Sequence, residues 1–180
     1  MCIRASKDCA RGDIDRYAGT SSRCSQKALV SEAVLRGWDL ITTDISKAFL
    51  QGVTYDELAK LTGERPREVN FYLPASNIPV LRKVKGFENF NPATEVLHCD
   101  KPGTGLVDAP RAFSIKLSSV TCDKCGLMPS KVDPELCFKH TNGRLVCLMT
   151  KHVDDLKIAG EPAVVQDMLL KLQETFGELK

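Results

Sequence analysis

No apolar run in this 180-residue chain approaches the roughly 18 residues needed to cross a bilayer. The opening MCIRASKDCARGD also lacks the apolar centre of a signal peptide. Charge of one sign is missing too: a formal net charge of +2 does not by itself announce nucleic acid as a partner. There is no internal repeat and no low-complexity segment, which argues against solenoids and linkers. A disulfide framework is also lacking. Of eight cysteines, Cys2, Cys9, Cys24 and Cys99 sit singly, and without an export signal all are expected to stay reduced, in an intracellular setting. What remains is 43% hydrophobic and 27% charged, an ordinary globular composition and long enough for one domain with a core.

Hydrophobic period and capping residues divide the chain. Residues 1–19 are polar and aperiodic, a loop or part of an incomplete element. The stretch 20–37 reads as a helix, with Ser and Thr at its start, Leu29, Val30, Ala33 and Val34 on one side, and Gly37 to stop it. WDLITTDI (38–45) alternates as a strand, which puts Asp44 on the face of Trp38 and Leu40, away from Ile41. A short amphipathic helix is expected within 52–66, and strands at 68–74 and 94–100. A further helix within 108–126 has Pro110 near its first turn and Phe113, Leu117 and Val120 at helical spacing. Residues 145–159 read as a hairpin. The segment 161–177 reads as a helix from Pro162 to Gly177, with Val165, Met168, Leu169, Leu172 and Phe176 as its apolar positions. The order predicts an α+β fold, an antiparallel sheet backed by helices.

The chemistry concentrates at KHVDDLKIAG (151–160), where Asp154 and Asp155 lie between apolar runs. Two readings fit. Aspartates suit a hairpin turn, because they tolerate turn geometry and cap their own backbone. Rigidly held carboxylates also suit a divalent metal, and Asp44 at a strand end supplies a third. Three such groups brought together repel unless cations neutralise them. Mg²⁺ is the natural choice, since it prefers oxygen ligands and completes its shell with water and substrate phosphate. Two ions roughly 4 Å apart can stabilise both oxygens of an in-line phosphoryl displacement, which is polymerase and nuclease chemistry.

Three blocks, DISKAFLQG (44–52), GLVDAPRAFSIKL (105–117) and HVDDLKIAG (152–160), occur in the order found in copia-type retrotransposon reverse transcriptases, and the chain resembles that family over roughly residues 17–180. The resemblance implies the RNA-directed DNA polymerase domain of a retrovirus-related Pol polyprotein. It would be a palm with partial fingers over 20–180, preceded by an incomplete fingers segment or a disordered one over 1–19, with thumb and RNase H absent. It implies Asp44, Asp154 and Asp155 as catalytic, metal-binding residues and the Ile45 backbone carbonyl as a further ligand. Phe49, Pro110 and Arg111 would contact the nucleotide, with Phe49 clashing with a ribose 2′-hydroxyl. The implied cofactor is Mg²⁺, with Mn²⁺ as a substitute, and the implied partners are RNA template, DNA primer, dNTP and the remainder of a Pol polyprotein. The implied setting is a cytoplasmic particle or the nucleus. The sequence departs from the family pattern at His152 for Tyr, Asp108 for Gln, Thr104 for Tyr and Phe113 for Trp. Asp108 adds negative charge near phosphates, which weakens binding unless it is locally paired.

Two other readings stand beside it. Cys122, Cys125, Cys137 and His140 have spacing that can close a tetrahedral zinc site, although alternation through 136–139 turns Cys137 and His140 to opposite sides. Arg82, Lys83 and Lys85 could track a phosphate backbone in a noncatalytic nucleic-acid-binding remnant.

Overall fold

The computed structural model describes residues 17–180, and the expectation for residues 1–16 lies outside the described residues. Helix α1 (Arg23–Arg36) begins where the Ser22 side chain accepts from the Ser25 amide and ends at Gly37, whose φ of 65° closes the last turn. Strand β1 (Leu40–Asp44) follows, then a 3₁₀ turn over Ala48–Leu50. Helix α2 (Tyr55–Thr62) has a reciprocal cap: the Glu57 amide donates to Thr54 Oγ1 at 3.2 Å, and the Thr54 amide to the Glu57 carboxylate at 2.9 Å. Strands β2 (Asn70–Phe71) and β3 (Leu97–His98) form a small ribbon around the short helix α3 (Ile78–Leu81). Helix α4 (Ala109–Ser119) runs into a π turn over Val120–Lys124, before β4 (Met128–Pro129), β5 (Leu136–Thr141), β6 (Arg144–His152), β7 (Asp155–Gly160) and α5 (Pro162–Phe176).

Among the described residues, the main sheet has five antiparallel strands in the order β1-β7-β6-β5-β4. The α+β class expected from the pattern is therefore present. Both faces are covered. On one, Ile45, Leu156, Ile158, Met149, Cys147 and Cys137 meet Phe113, Leu117 and Val120 of the α4 segment and Val165, Met168, Leu172 and Phe176 of α5. On the other, Leu148 and Ala159 meet Leu29 and Ala33 of α1. The Phe113 and Phe176 rings meet edge to face at 5.8 Å and join the two helices on the first side.

The expected strands at 68–74 and 94–100 shrink to two residues each. Burial there is only partial: Phe71 and Leu97 are half-buried, while Tyr72 stays 78% exposed and Val96 is exposed too. β-propensity without packing partners sustains little pairing. At the end of α4 the π turn re-phases the chain, so that Val120, Cys125 and Leu127 all reach the core.

Phe113 is fully buried where α4, α5 and the sheet converge. Phe113→Ala is expected to lower unfolding free energy by about 3–5 kcal/mol in chemical denaturation, the range for an aromatic removed from a packed core.

Candidate active site

The site grows from the pairing of β1 with β7. Leu40 lies opposite Ala159, Thr42 opposite Lys157 and Asp44 opposite Asp155. Directly opposed residues share a face, so Asp44 and Asp155 project together, on the side of the sheet that α1 covers further along. The Ile45 amide donates to the Asp154 carbonyl at 3.2 Å, while Asp44 exchanges both backbone bonds with Lys180, at 2.8 and 3.0 Å. This pattern makes Asp44–Asp155 a non-hydrogen-bonded pair, the closer of the two antiparallel kinds, with Cα atoms about 4.5 Å apart. His152 pairs with Asp155 across the hairpin, and Thr20 bridges to His152. The row across the sheet end therefore reads Lys180, Asp44, Asp155, His152, Thr20.

Asp154 sits in the turn itself. Val153 and Asp154 form a two-residue loop between His152 and Asp155. Val153 has a φ of 59°. Only the first central residue takes a positive φ, as in a type II′ turn, where glycine is the natural occupant. A β-branched residue there carries strain on the order of 1–3 kcal/mol, which persists only where the surroundings over-determine the backbone. The Val153 amide, at 3.4 Å from the Gly19 carbonyl, is one such tie.

The three sequence blocks meet. The first meets the third through β1 and β7, and the second through Gly52. A Cβ on Gly52 would stand 3.0 Å from the Ala112 Cβ and 3.1 Å from the Phe113 amide nitrogen, so the glycine lets this segment lie against α4. Ile45 is buried. Phe49 is half-buried and packs against the larger core cluster. Pro110 stands in the first turn of α4. Arg111, next to it, donates twice to the Glu64 carboxylate, at 2.9 and 3.0 Å. Asp108 has a local partner: Arg67 donates to it at 2.6 Å, and the carboxylate is only 2% exposed. Its charge is thus answered within the protein. The partners Arg67 and Glu64 gave no signal in the sequence, being 41 and 47 residues away from the groups they pair with.

Among the described residues, no three His, Cys, Asp or Glu side chains converge to hold a metal ion, Asp44, Asp154 and Asp155 included. Mg²⁺ asks less than that, since one or two carboxylates suffice when water and substrate phosphate complete the shell. The opposed pair Asp44–Asp155 fits that requirement in donor type and in sharing one face of the sheet. The zinc set does not come together. Cys137 packs in the core facing α4 and α5 and donates to the Pro134 carbonyl at 3.6 Å, while His140 lies against the Phe138 ring on the α1 side. Burial pushes the Cys137 thiol up to about 11 and Cys147 to about 12, away from the thiolate that zinc requires. Of the basic cluster, Arg82 donates from Nε and Nη2 to the Phe90 carbonyl, at 3.1 and 3.0 Å, while Lys83 and Lys85 are exposed. No family model, curated protein or solved structure matches the chain.

Two outcomes are expected. In metal-free buffer, Asp44→Asn should raise stability by a few tenths to about 1 kcal/mol in urea denaturation, since it relieves a like-charge cross-strand pair. With a thiol-alkylating reagent at pH 8, exposed Cys24 should react in the native state, whereas Cys137 and Cys147 should react only on unfolding, as peptide mapping will report.

Proposed function

We propose that this chain is the RNA-directed DNA polymerase domain of a copia-type retrotransposon, a palm with part of the fingers that transfers a nucleotide from dNTP to a primer 3′-hydroxyl. The observation that carries the reading is the Asp44–Asp155 cross-strand pair, with Asp154 in the adjoining turn. Asp44 and Asp155 are two of the three aspartates that the motif order singles out, and they are opposed on neighbouring strands although about 110 residues separate them.

Asp44, Asp154 and Asp155 would hold Mg²⁺ or Mn²⁺, with the Ile45 carbonyl as a further ligand. The metal supplies positive charge for the attacking and leaving oxygens. The protein's own contribution is position. The strand pairing sets the backbone of Asp44 and Asp155, and the turn that of Asp154, which limits the reorganisation needed when charge develops. Phe49 follows Asp44 by five residues, and the sugar-excluding role that the motif implies would require its half-buried ring to turn from the core cluster on the α4 and α5 side. Pro110 and Arg111 line the nucleotide from α4. Arg111 reaches a phosphate by exchanging the Glu64 carboxylate for it, a swap between two bidentate partners of one guanidinium. RNA template, DNA primer and dNTP are the partners of this reading.

The test is Mn²⁺ binding by paramagnetic resonance, alongside primer extension on an RNA template by the chain alone and by one continued past Lys180. Asp154→Asn should weaken Mn²⁺ binding by about tenfold or more while leaving the denaturation midpoint nearly unchanged, and should abolish extension. Mn²⁺ affinity indifferent to both Asp154→Asn and Asp44→Asn would overturn the reading.

A further inference from the structure

Lys151 immediately precedes the aspartate hairpin, yet its side chain turns inward. It is 4% exposed, and its ammonium lies 3.1 Å from Glu135 Oε2 and donates to Ser118 Oγ at 3.0 Å. Glu135 is itself 7% exposed. The two residues are also joined through the backbone, the Lys151 amide donating to the Glu135 carbonyl at 2.9 Å. A buried lysine inside the apolar run of β6 is a costly choice by composition alone, because an apolar residue of similar volume would serve stability about as well. It connects three elements: the end of β6, the loop before β5, and α4.

A fourth element closes on the same pair. Residues 19–21 run antiparallel to the end of β6, with the Ser21 amide donating to the Lys151 carbonyl at 2.9 Å and the Val153 amide facing the Gly19 carbonyl. Gly19 is buried, and a Cβ built on it would stand 1.7 Å from Glu135 Oε1. The Glu135 carboxylate thus occupies the space a side chain at position 19 would need. Gly19, Glu135 and Lys151 form one packed unit, and its two backbone ties hold the strained Val153 turn from the side opposite β7.

We propose that Lys151 and Glu135 are positioning residues: their buried ion pair, seated on Gly19, locks the 19–21 segment against the hairpin and so holds Asp154 and Asp155 in register with Asp44. Their effect on metal binding rests on the polymerase reading; the anchoring of the turn does not. Both act through the hairpin backbone, and neither touches the metal or the substrate.

Removing one partner strands a buried charge and can unfold the protein, so the informative variant replaces both, Lys151→Met with Glu135→Leu, which keeps volume and leaves no unpaired ion. Gly19→Ala is the second variant, since it displaces the Glu135 carboxylate without altering either charge. Amide hydrogen exchange on the full chain reads the anchoring. Exchange at Val153 and Ile45 should quicken by about tenfold relative to Met149, which lies on the same strand as Lys151 but away from the turn, and serves as the measure of global stability. A purely structural role would move all three amides together, and that result would overturn the proposal. Mn²⁺ affinity reads the consequence and should fall by about 10- to 100-fold in the double variant, the range for groups that orient metal ligands from behind. If wild-type Mn²⁺ binding depends on Asp154 and the double variant binds equally well, positioning is refuted. Wild-type Mn²⁺ binding indifferent to Asp154→Asn would instead defeat the polymerase reading, and the exchange rates would still decide whether the pair anchors the turn.

Discussion

The register of β1 against β7 is the constraint on which the candidate site depends. Asp44 faces Asp155 only because Leu40 faces Ala159 and Ile41 faces Ile158 along the same ladder. A slip of one residue would turn Asp44 towards α4 and α5 and send Ile41 and Ile45 to the opposite face. Magnitudes decide which arrangement wins. Two carboxylates opposed at a partly exposed strand end repel by about 1 kcal/mol or less. Each aliphatic side chain buried from this strand and its partner contributes about 1.5–3 kcal/mol. Hydrophobic burial on one face therefore holds together the charges that repel on the other.

Of the two readings of the adjacent aspartates, the turn is the one the backbone shows: Val153 and Asp154 form the loop, and Asp155 opens the strand that pairs with β1. Alternation in 38–45 was enough to place Asp44 on the right face, since strand period and burial agree there. Helix ends were equally legible, because Ser22, Gly37, Thr54, Glu57 and Gly63 cap through their own neighbours. Local interactions leave local traces.

What the sequence concealed depends on distant partners. Strand propensity at 68–74 and 94–100 outran the pairing, because burial there is only partial and Tyr72 and Val96 stay in water. The zinc spacing was real as spacing, yet the alternation of β5 sends Cys137 and His140 to different sides. Asp108, a charge that looked unfavourable beside phosphates, is enclosed with Arg67. Lys151, written into a strand that otherwise reads as core, finds Glu135 only when β5 and β6 are paired.

These two enclosed ion pairs have a common logic. Each ties a motif-bearing element to a segment distant in sequence, Asp108 at the start of α4 to Arg67, and Lys151 at the end of β6 to Glu135. Near break-even in stability, such pairs contribute direction more than energy, because a short charged contact tolerates little displacement whereas apolar contacts slide. Asp108 shows the cost of the arrangement. Among the described residues its Oδ1 is buried without a hydrogen-bond partner, and the neighbouring Tyr55 phenol is pushed well up, first by burial and then by the Asp108 charge. A core that needed only stability would place apolar groups at both positions. Ionic contacts at the start of α4 and the base of the hairpin instead tie two motif segments to parts of the chain distant in sequence, Asp108 to Arg67 and Lys151 to Glu135.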